Sequence, residues 1–169
     1  LRELGEEIAR LDRLITDLLV VAGRRLGPVA SCDLGALAAK RAALLEGWAE
    51  QHEVSLACEG EARASVDADG VARVIDNLLR NAVQASPRGE AVRVTVRRDG
   101  PSAVIEVADR GAGVDEARMG ELFEPFFTTR AEGTGLGLAM SRAVAEAHGG
   151  TLRYRRDEGV TRFTLTLPA

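Results

Sequence analysis

Gly133-Thr134-Gly135-Leu136-Gly137-Leu138 is the stretch on which the reading of this chain turns. It leads straight into a segment whose apolar residues, Leu136, Ala139, Met140, Ala143, Val144 and Ala147, recur at helical spacing. The expected helix starts near Gly135, with Thr134 as a candidate cap, and stops at Gly149-Gly150. A helix N-terminus presents free N–H groups and the positive end of a dipole, and glycines let anionic oxygens come near. The stretch therefore reads as a phosphate cradle. It is not a P-loop, because no Gly-x4-Gly-Lys-[Ser/Thr] exists, and no Gly-x-Gly-x-x-Gly fingerprint is present either.

Working outward, three more motifs precede it in order. Asn77-Leu78-Leu79-Arg80-Asn81-Ala82 lies on a helix whose apolar face is Val71, Val74, Ile75, Leu78, Leu79 and Ala82. At about 100° per residue the two asparagines sit about 40° apart at the margin of that face. An Asn carbonyl is a neutral oxygen donor of the kind Mg²⁺ accepts alongside nucleotide phosphates. The plain alternative is that both are helix-surface residues. Arg80 lies nearly opposite the core. Asp69 is the expected cap, and the helix ends near Ser86-Pro87, since a residue before proline resists helical angles.

Asp109-Arg110-Gly111-Ala112-Gly113 follows an apolar strand. The Asp109 carboxylate can accept from an amino group such as the exocyclic one of adenine. Gly111 and Gly113 allow a close approach to a flat base. By itself the motif is as consistent with an ordinary turn. Phe123-Glu124-Pro125-Phe126-Phe127 holds three of the chain's four phenylalanines and reads either as core or as the anchor of a lid. Arg130, in the Thr- and Gly-rich segment beyond it, is a candidate charge-assisted donor to a phosphate. His148 and His52 both close helices and read as structural.

The remaining elements follow from periodicity and turn chemistry. Asp33 caps a helix over 34–51, and residues 54–58 alternate like a strand. Strands over 91–98 and 102–108 flank Asp99-Gly100, a hairpin signal. A short helix covers 115–120, and strands over 151–156 and 160–167 finish the chain. Residues 24–31, with Gly27-Pro28, read as a linker. Ahead of it, Leu1, Leu4, Ile8, Leu11, Ile15, Leu18 and Ala22 alternate spacings of three and four over residues 1–23, a heptad seam widened by Leu14 and Leu19. Such a helix requires a partner helix or its own domain to cover it. Helices interleaved with antiparallel hairpins give an α+β two-layer sandwich.

Composition sets limits. The 169 residues suffice for one domain with an appendage, 46% are hydrophobic and 28% charged. A net charge of −4 with mixed signs disfavours a nucleic-acid partner. Only Lys40 among the 22 basic residues is lysine, so a basic side chain on phosphate would be arginine. Cys32 and Cys58 lack metal-ligand spacing and read as reduced thiols. The apolar run 18–22 is too short to span a bilayer.

Together the four motifs resemble the N, G1, F and G2 boxes of sensor histidine kinases in the GHKL ATPase superfamily, and the resemblance covers 33–168. It implies the Bergerat fold: a mixed sheet of about five strands with about three helices on one face. It also implies that Asn81 binds Mg²⁺ with Asn77 near the phosphates, and that Asp109 reads adenine while Gly111 and Gly113 shape the base pocket. Gly133, Thr134, Gly135, Leu136 and Gly137 would line the phosphates of ATP, with Arg130 in the lid. Residues 1–23 resemble the second helix of the family's dimerisation and phosphoacceptor hairpin, followed by a linker over 24–32 and the kinase domain over 33–169.

The family's acceptor histidine belongs on the first helix of that hairpin, and neither His52 nor His148 fits it. The chain is thus expected to bind ATP and Mg²⁺, to phosphorylate a histidine it does not carry, and to hand on to a response-regulator receiver domain. Homodimerisation is expected through the N-terminal helix. A cytoplasmic location is expected too, with any inner-membrane anchor upstream. The competing readings are a serine kinase of the anti-sigma-factor type and a non-catalytic nucleotide-sensing dimerisation module.

Overall fold

The computed structural model of the chain describes Ile15 and residues 27–129 and 133–169. The expected seam helix over 1–23, the first residues of the expected linker and Arg130 lie outside the described residues, Ile15 apart, which is helical and exposed.

Strand β1 (Val29–Asp33) runs directly into helix α1 (Leu34–Gln51). Asp33 caps that helix as expected, its carboxylate accepting from the Ala36 N–H at 3.0 Å. Helix α1 buries Leu34, Ala38, Ala42, Leu45 and Ala49, spaced by three or four. Strands β2 (Ser55–Gly60) and β3 (Arg63–Asp67) follow, and β3 leads into helix α2 (Ala68–Ala85). The cap of α2 is Asp67, not Asp69. Its carboxylate accepts from the N–H groups of Asp69 and Gly70, both at 3.1 Å. Strand β3 stays extended through Asp67, so the helix begins two residues earlier than its periodicity suggests, and Asp69 instead lies in the first turn, where the helix dipole favours an acid. Helix α2 ends before Pro87 as expected, with Ser86 extended at φ −71°, ψ 139°.

Strands β4 (Ala91–Asp99) and β5 (Ser102–Asp109) form the expected hairpin, turned by Gly100 at φ +56° ahead of Pro101. A 3-10 helix (Glu116–Glu121), helix α3 (Gly137–Ala147), and strands β6 (Thr151–Asp157) and β7 (Val160–Pro168) complete the order. Glu158 and Gly159 both take positive φ between β6 and β7, as a two-residue hairpin requires. The five-stranded sheet runs β2-β4-β5-β7-β6, with β2 parallel to β4 and every other pair antiparallel.

The fold is α+β, a mixed five-stranded sheet with α1, α2 and α3 packed across one face. Alternate strand residues fill the layer between: Val92, Val94 and Val96 from β4, Ile105 and Val107 from β5, Phe163, Leu165 and Leu167 from β7. They meet Val74, Ile75, Leu78 and Leu79 of α2, all fully buried. Each such aliphatic side chain contributes about 1.5–3 kcal/mol when taken from water. Arg41 of α1 and Asp76 of α2 clamp the two helices, with Nε on Oδ1 at 2.7 Å and Nη2 on Oδ2. That bond holds the Arg41 guanidinium above its ordinary range, against the opposing effect of its burial.

Two strands were absent from the sequence reading. β1 and β3 pair antiparallel as a separate small sheet, Val29 opposite Asp67 and Asp33 opposite Arg63. The expected linker thus becomes strand from Val29 onward. Each strand has five residues, mixes Ala, Ser and charged side chains, and finds its partner thirty or more residues away. No local period announces such a pair.

Candidate functional site

Helix α2 is the floor on which the motifs meet. Asn77, Asn81 and Ala85 follow one another at every fourth residue along one side of it. The glycine loops touch this line at its two ends. A Cβ on Gly137 would stand 2.1 Å from the Asn77 Oδ1. A Cβ on Gly111 would stand 2.6 Å from the Ala85 carbonyl oxygen. Eight residues of helix separate these contacts, about 12 Å of rise. Asn81 lies between them, half-buried like Asn77.

At the Gly137 end, helix α3 starts with Leu136 as its N-cap and has no side-chain cap. The start falls two residues after the expected one because Gly135 sits at φ +67°, outside the right-handed helix. Thr134 is therefore not the cap. Its Oγ1 accepts from the Leu136 N–H at 3.4 Å within the approach loop. Leu136 is buried, 4% exposed. Uncapped N–H groups at the head of an eleven-residue helix are donors suited to an anion.

The Asn77 amide is held in place. Its Nδ2 donates to Ser141 Oγ at 3.1 Å, and that hydroxyl donates to the Gly137 carbonyl at 2.7 Å. The amide oxygen is thereby turned toward Gly137. Ser141 is fully buried and went unnoticed in the sequence. A serine four residues into a helix carries no signal of its own, since its bond to the carbonyl four residues back is common.

At the Gly111 end, Asp109 closes β5 and is 3% exposed. Its Oδ1 accepts from the Gly111 N–H at 2.7 Å. Gly113 takes φ +72°, as the loop reading required. Residues of the β6–β7 hairpin back this loop. Arg156 Nη1 donates to the Gly111 carbonyl at 2.6 Å and to Thr161 Oγ1 at 3.0 Å, and the Val114 N–H donates to the Tyr154 hydroxyl at 3.0 Å. Arg156, Tyr154 and Thr161 were likewise not singled out in the sequence, though alternation alone puts Tyr154 and Arg156 on one face of β6.

The aromatic knot divides. Phe123 and Phe127 pack against the core beneath Arg142 and Arg118, at 5.9 Å and 4.7 Å from the ring centroids. Phe126 points out, 67% exposed, at φ +68°. Its N–H donates to the Gly135 carbonyl at 2.9 Å, which ties the knot to the glycine loop. The two histidines are structural, as expected. His148 Nδ1 donates to the Val144 carbonyl at 2.7 Å and its Nε2 accepts from the Asp67 N–H at 2.9 Å, a neutral tautomer. His52 bonds the Trp48 carbonyl through Nδ1 at 2.9 Å. Away from these motifs, a groove of about 390 Å³ between α1 and the start of β2 is lined by Glu46, Glu50, Glu53 and Glu90. Its carboxylates would repel a polyphosphate.

Fold and motifs together define a nucleotide-handling ATPase-type domain. Residues 66–169 match the family described as "Histidine kinase-, DNA gyrase B-, and HSP90-like ATPase", and the chain belongs to that family. Among curated relatives it is similar to the sensor histidine kinase ZraS of Escherichia coli strain K12, 34% identical across 98% of this chain and 36% of the relative. It is also similar to the C4-dicarboxylate transport sensor protein DctS of Rhodobacter capsulatus, 36% identical across 98% of this chain and 26% of the relative. The chain thus spans about a third of the length of these relatives.

Among solved structures, the catalytic domain of histidine kinase ThkA superposes with a TM-score of 0.75 at 24% identity, covering 83% of this chain and 95% of that one. Full-length ShkA in complex with AMPPNP gives 0.78 at 25% identity, covering 99% of this chain and 38% of that one. The first of these likenesses speaks to the fold.

Proposed function

We propose that the chain is the ATP-binding catalytic part of a two-component sensor histidine kinase, acting on a histidine that this sequence does not carry. The observation that carries this reading is the meeting of Gly137, Asn77 and the uncapped head of α3 on the same line of α2 as the Asp109 loop. Family membership makes ATP the nucleotide. The AMPPNP held by ShkA is a close chemical parallel.

In this reading Asp109 accepts from the adenine amino group, with Gly111 and Gly113 along the base. The backbone of Thr134, Gly135, Leu136 and Gly137 lines the phosphates, and Arg130 belongs to the lid. Mg²⁺ fits the donor set. In this reading the protein's share of the ion is the neutral amide oxygen of Asn81, with Asn77 near the phosphates. Bound there, the ion would supply charge neutralisation on the transferred phosphoryl group. Positioning and electrostatics supply most of such a rate, and the residues here orient phosphates rather than abstract protons. No described residue is assigned as a general base.

Residues 1–23 serve in this reading as part of a dimerisation helix, 24–32 as the connection, and 33–169 as the kinase domain. A receiver domain takes the phosphoryl group onward, and the unit works in the cytoplasm. No described helix is long and apolar enough to cross a membrane.

Calorimetry with Mg-ATP tests the binding claim. Asp109→Asn and Asn81→Asp are each expected to weaken ATP about tenfold or more, the worth of one hydrogen bond to a charged group, with the unfolding temperature preserved. Unchanged affinity in both variants defeats the assignment. Adding a histidine-bearing partner helix with labelled ATP separates the kinase, which labels it, from a nucleotide sensor, which binds and does not transfer.

A further inference from the structure

We propose that Arg156, reaching inward from the edge strand β6, is a positioning residue for the Asp109 loop and sets how strictly the site distinguishes adenine from other bases. The inference rests on Asp109 reading the base. Register brings three side chains into one row: Asp109 of β5 lies opposite Thr161 of β7, which lies opposite Arg156 of β6. All three face the helix layer, in step with Val107, Phe163 and Tyr154.

From that row Arg156 controls Gly111 through its carbonyl, at 2.6 Å, while Asp109 holds the same residue through its N–H, at 2.7 Å. Both backbone groups of Gly111 are thus held, the N–H by a carboxylate and the carbonyl by a guanidinium. The clamp continues two residues along β6, where Tyr154 accepts from the Val114 N–H. Gly113 closes it. A Cβ there would meet Arg156 Nη1 at 2.6 Å and the Tyr154 hydroxyl at 2.9 Å, so these two side chains occupy the space beside the loop. Thr161, 3% exposed, takes a second bond from the same guanidinium nitrogen and fixes its direction.

The chemical consequence concerns the Asp109 carboxylate. The Gly111 N–H it accepts from belongs to the Arg110–Gly111 peptide and the carbonyl that Arg156 holds belongs to the next one, so the two bonds fix the backbone on either side of the Gly111 Cα. A site discriminates strongly when its polar groups are held where only the right partner satisfies them. Charge-assisted bonds such as that from Arg156 are stronger than neutral ones. Releasing that carbonyl frees the backbone to rotate at Gly111 and loosens the N–H on which the carboxylate is aligned. Adenine then loses an aligned acceptor, whereas a base with no amino group at that place loses little.

Arg156→Met keeps the aliphatic stem and removes the donors, and Arg156→Lys restores one. By calorimetry with magnesium, Arg156→Met is expected to weaken ATP about tenfold while GTP changes less than about twofold, collapsing the preference between them. Arg156→Lys recovers part of it. The unfolding temperature is expected to stay within about 2 °C, because Arg156 lies on an edge strand and, apart from the guanidinium nitrogen that bonds inward, is exposed. In the nucleotide-free protein, amide exchange at residues 111–114 is expected to rise in Arg156→Met. Proportional loss of ATP and GTP, or no change in either ratio or exchange, overturns the proposal. An absence of ATP heat from the unmodified chain sinks the functional reading and the specificity role together. Normal ATP binding with an unmoved preference sinks only the role of Arg156.

Discussion

At the Asp109 end of the line along α2, three backbone groups of residues 111–114 are gripped by side chains of the sheet, and a Cβ on Gly111 would press on helix backbone. At the Gly137 end the helix begins with no side-chain cap, neighbouring Phe126 stands out in solvent, and a Cβ on Gly137 would first meet the Asn77 side chain. The first end is built into the fold. The second is built from groups that a ligand can complete. A base is flat and rigid and rewards a preset pocket, whereas a flexible chain of phosphates is gathered by N–H groups at a helix head that carries no side-chain cap.

The same substitution placed at each end tests that contrast most sharply. Gly111→Ala is expected to give the largest effect. The new methyl meets the Ala85 carbonyl oxygen at 2.6 Å and the Ala85 Cβ at 2.7 Å, and neither can swing aside. Such overpacking costs about 1–3 kcal/mol, read as a fall of about 3–10 °C in thermal unfolding, and ATP binding declines with it. Gly137→Ala comes next. Its methyl displaces the Asn77 amide from its bond to Ser141, so ATP affinity is expected to drop about tenfold while the unfolding temperature moves by no more than about 3 °C. Equal thermal losses in the two variants would erase the distinction between the ends.

The smallest expected effect lies outside both ends. Burial, then Glu59, raises the Cys58 thiol above its ordinary range; burial, then Asp33, raises Cys32, with Arg63 opposing. The folded chain therefore keeps thiol protons that the unfolded chain releases. The associated stability is complete below the ordinary thiol range, about pH 8.5, and declines as pH climbs through the raised values. Denaturant midpoints measured from about pH 7.5 to 10 should fall more steeply in the native chain than in a Cys32→Ser, Cys58→Ser chain. Identical slopes would remove the thiols from the account.

Much of the scaffold was legible because its causes are local. The span 34–51 read from Asp33 and its apolar spacing is the observed α1. Helix α2, the two hairpins and the ends at Pro87 and Gly149 follow from residues a few positions apart. The misreadings have one origin. Asp67 displaced Asp69 as a cap because β3 holds the chain extended up to it, and β3 exists only through pairing with β1. Thr134 lost its capping role to the positive φ of Gly135, which is locked against Phe126 by a backbone hydrogen bond.

By itself the sequence determined where helices and turns form, and which four motifs stand in which order. Helical periodicity, proline and glycine act within a turn or two of chain, so their message survives without a fold. Tertiary structure alone decided who meets whom. Asn77 finds Ser141 across 64 residues, Arg156 finds Gly111 across 45, and β2 lies parallel to β4 rather than against β3. Those pairings depend on sheet register and on helices packed over it. A one-residue slip would send Arg156 to the opposite face and leave every local propensity unchanged.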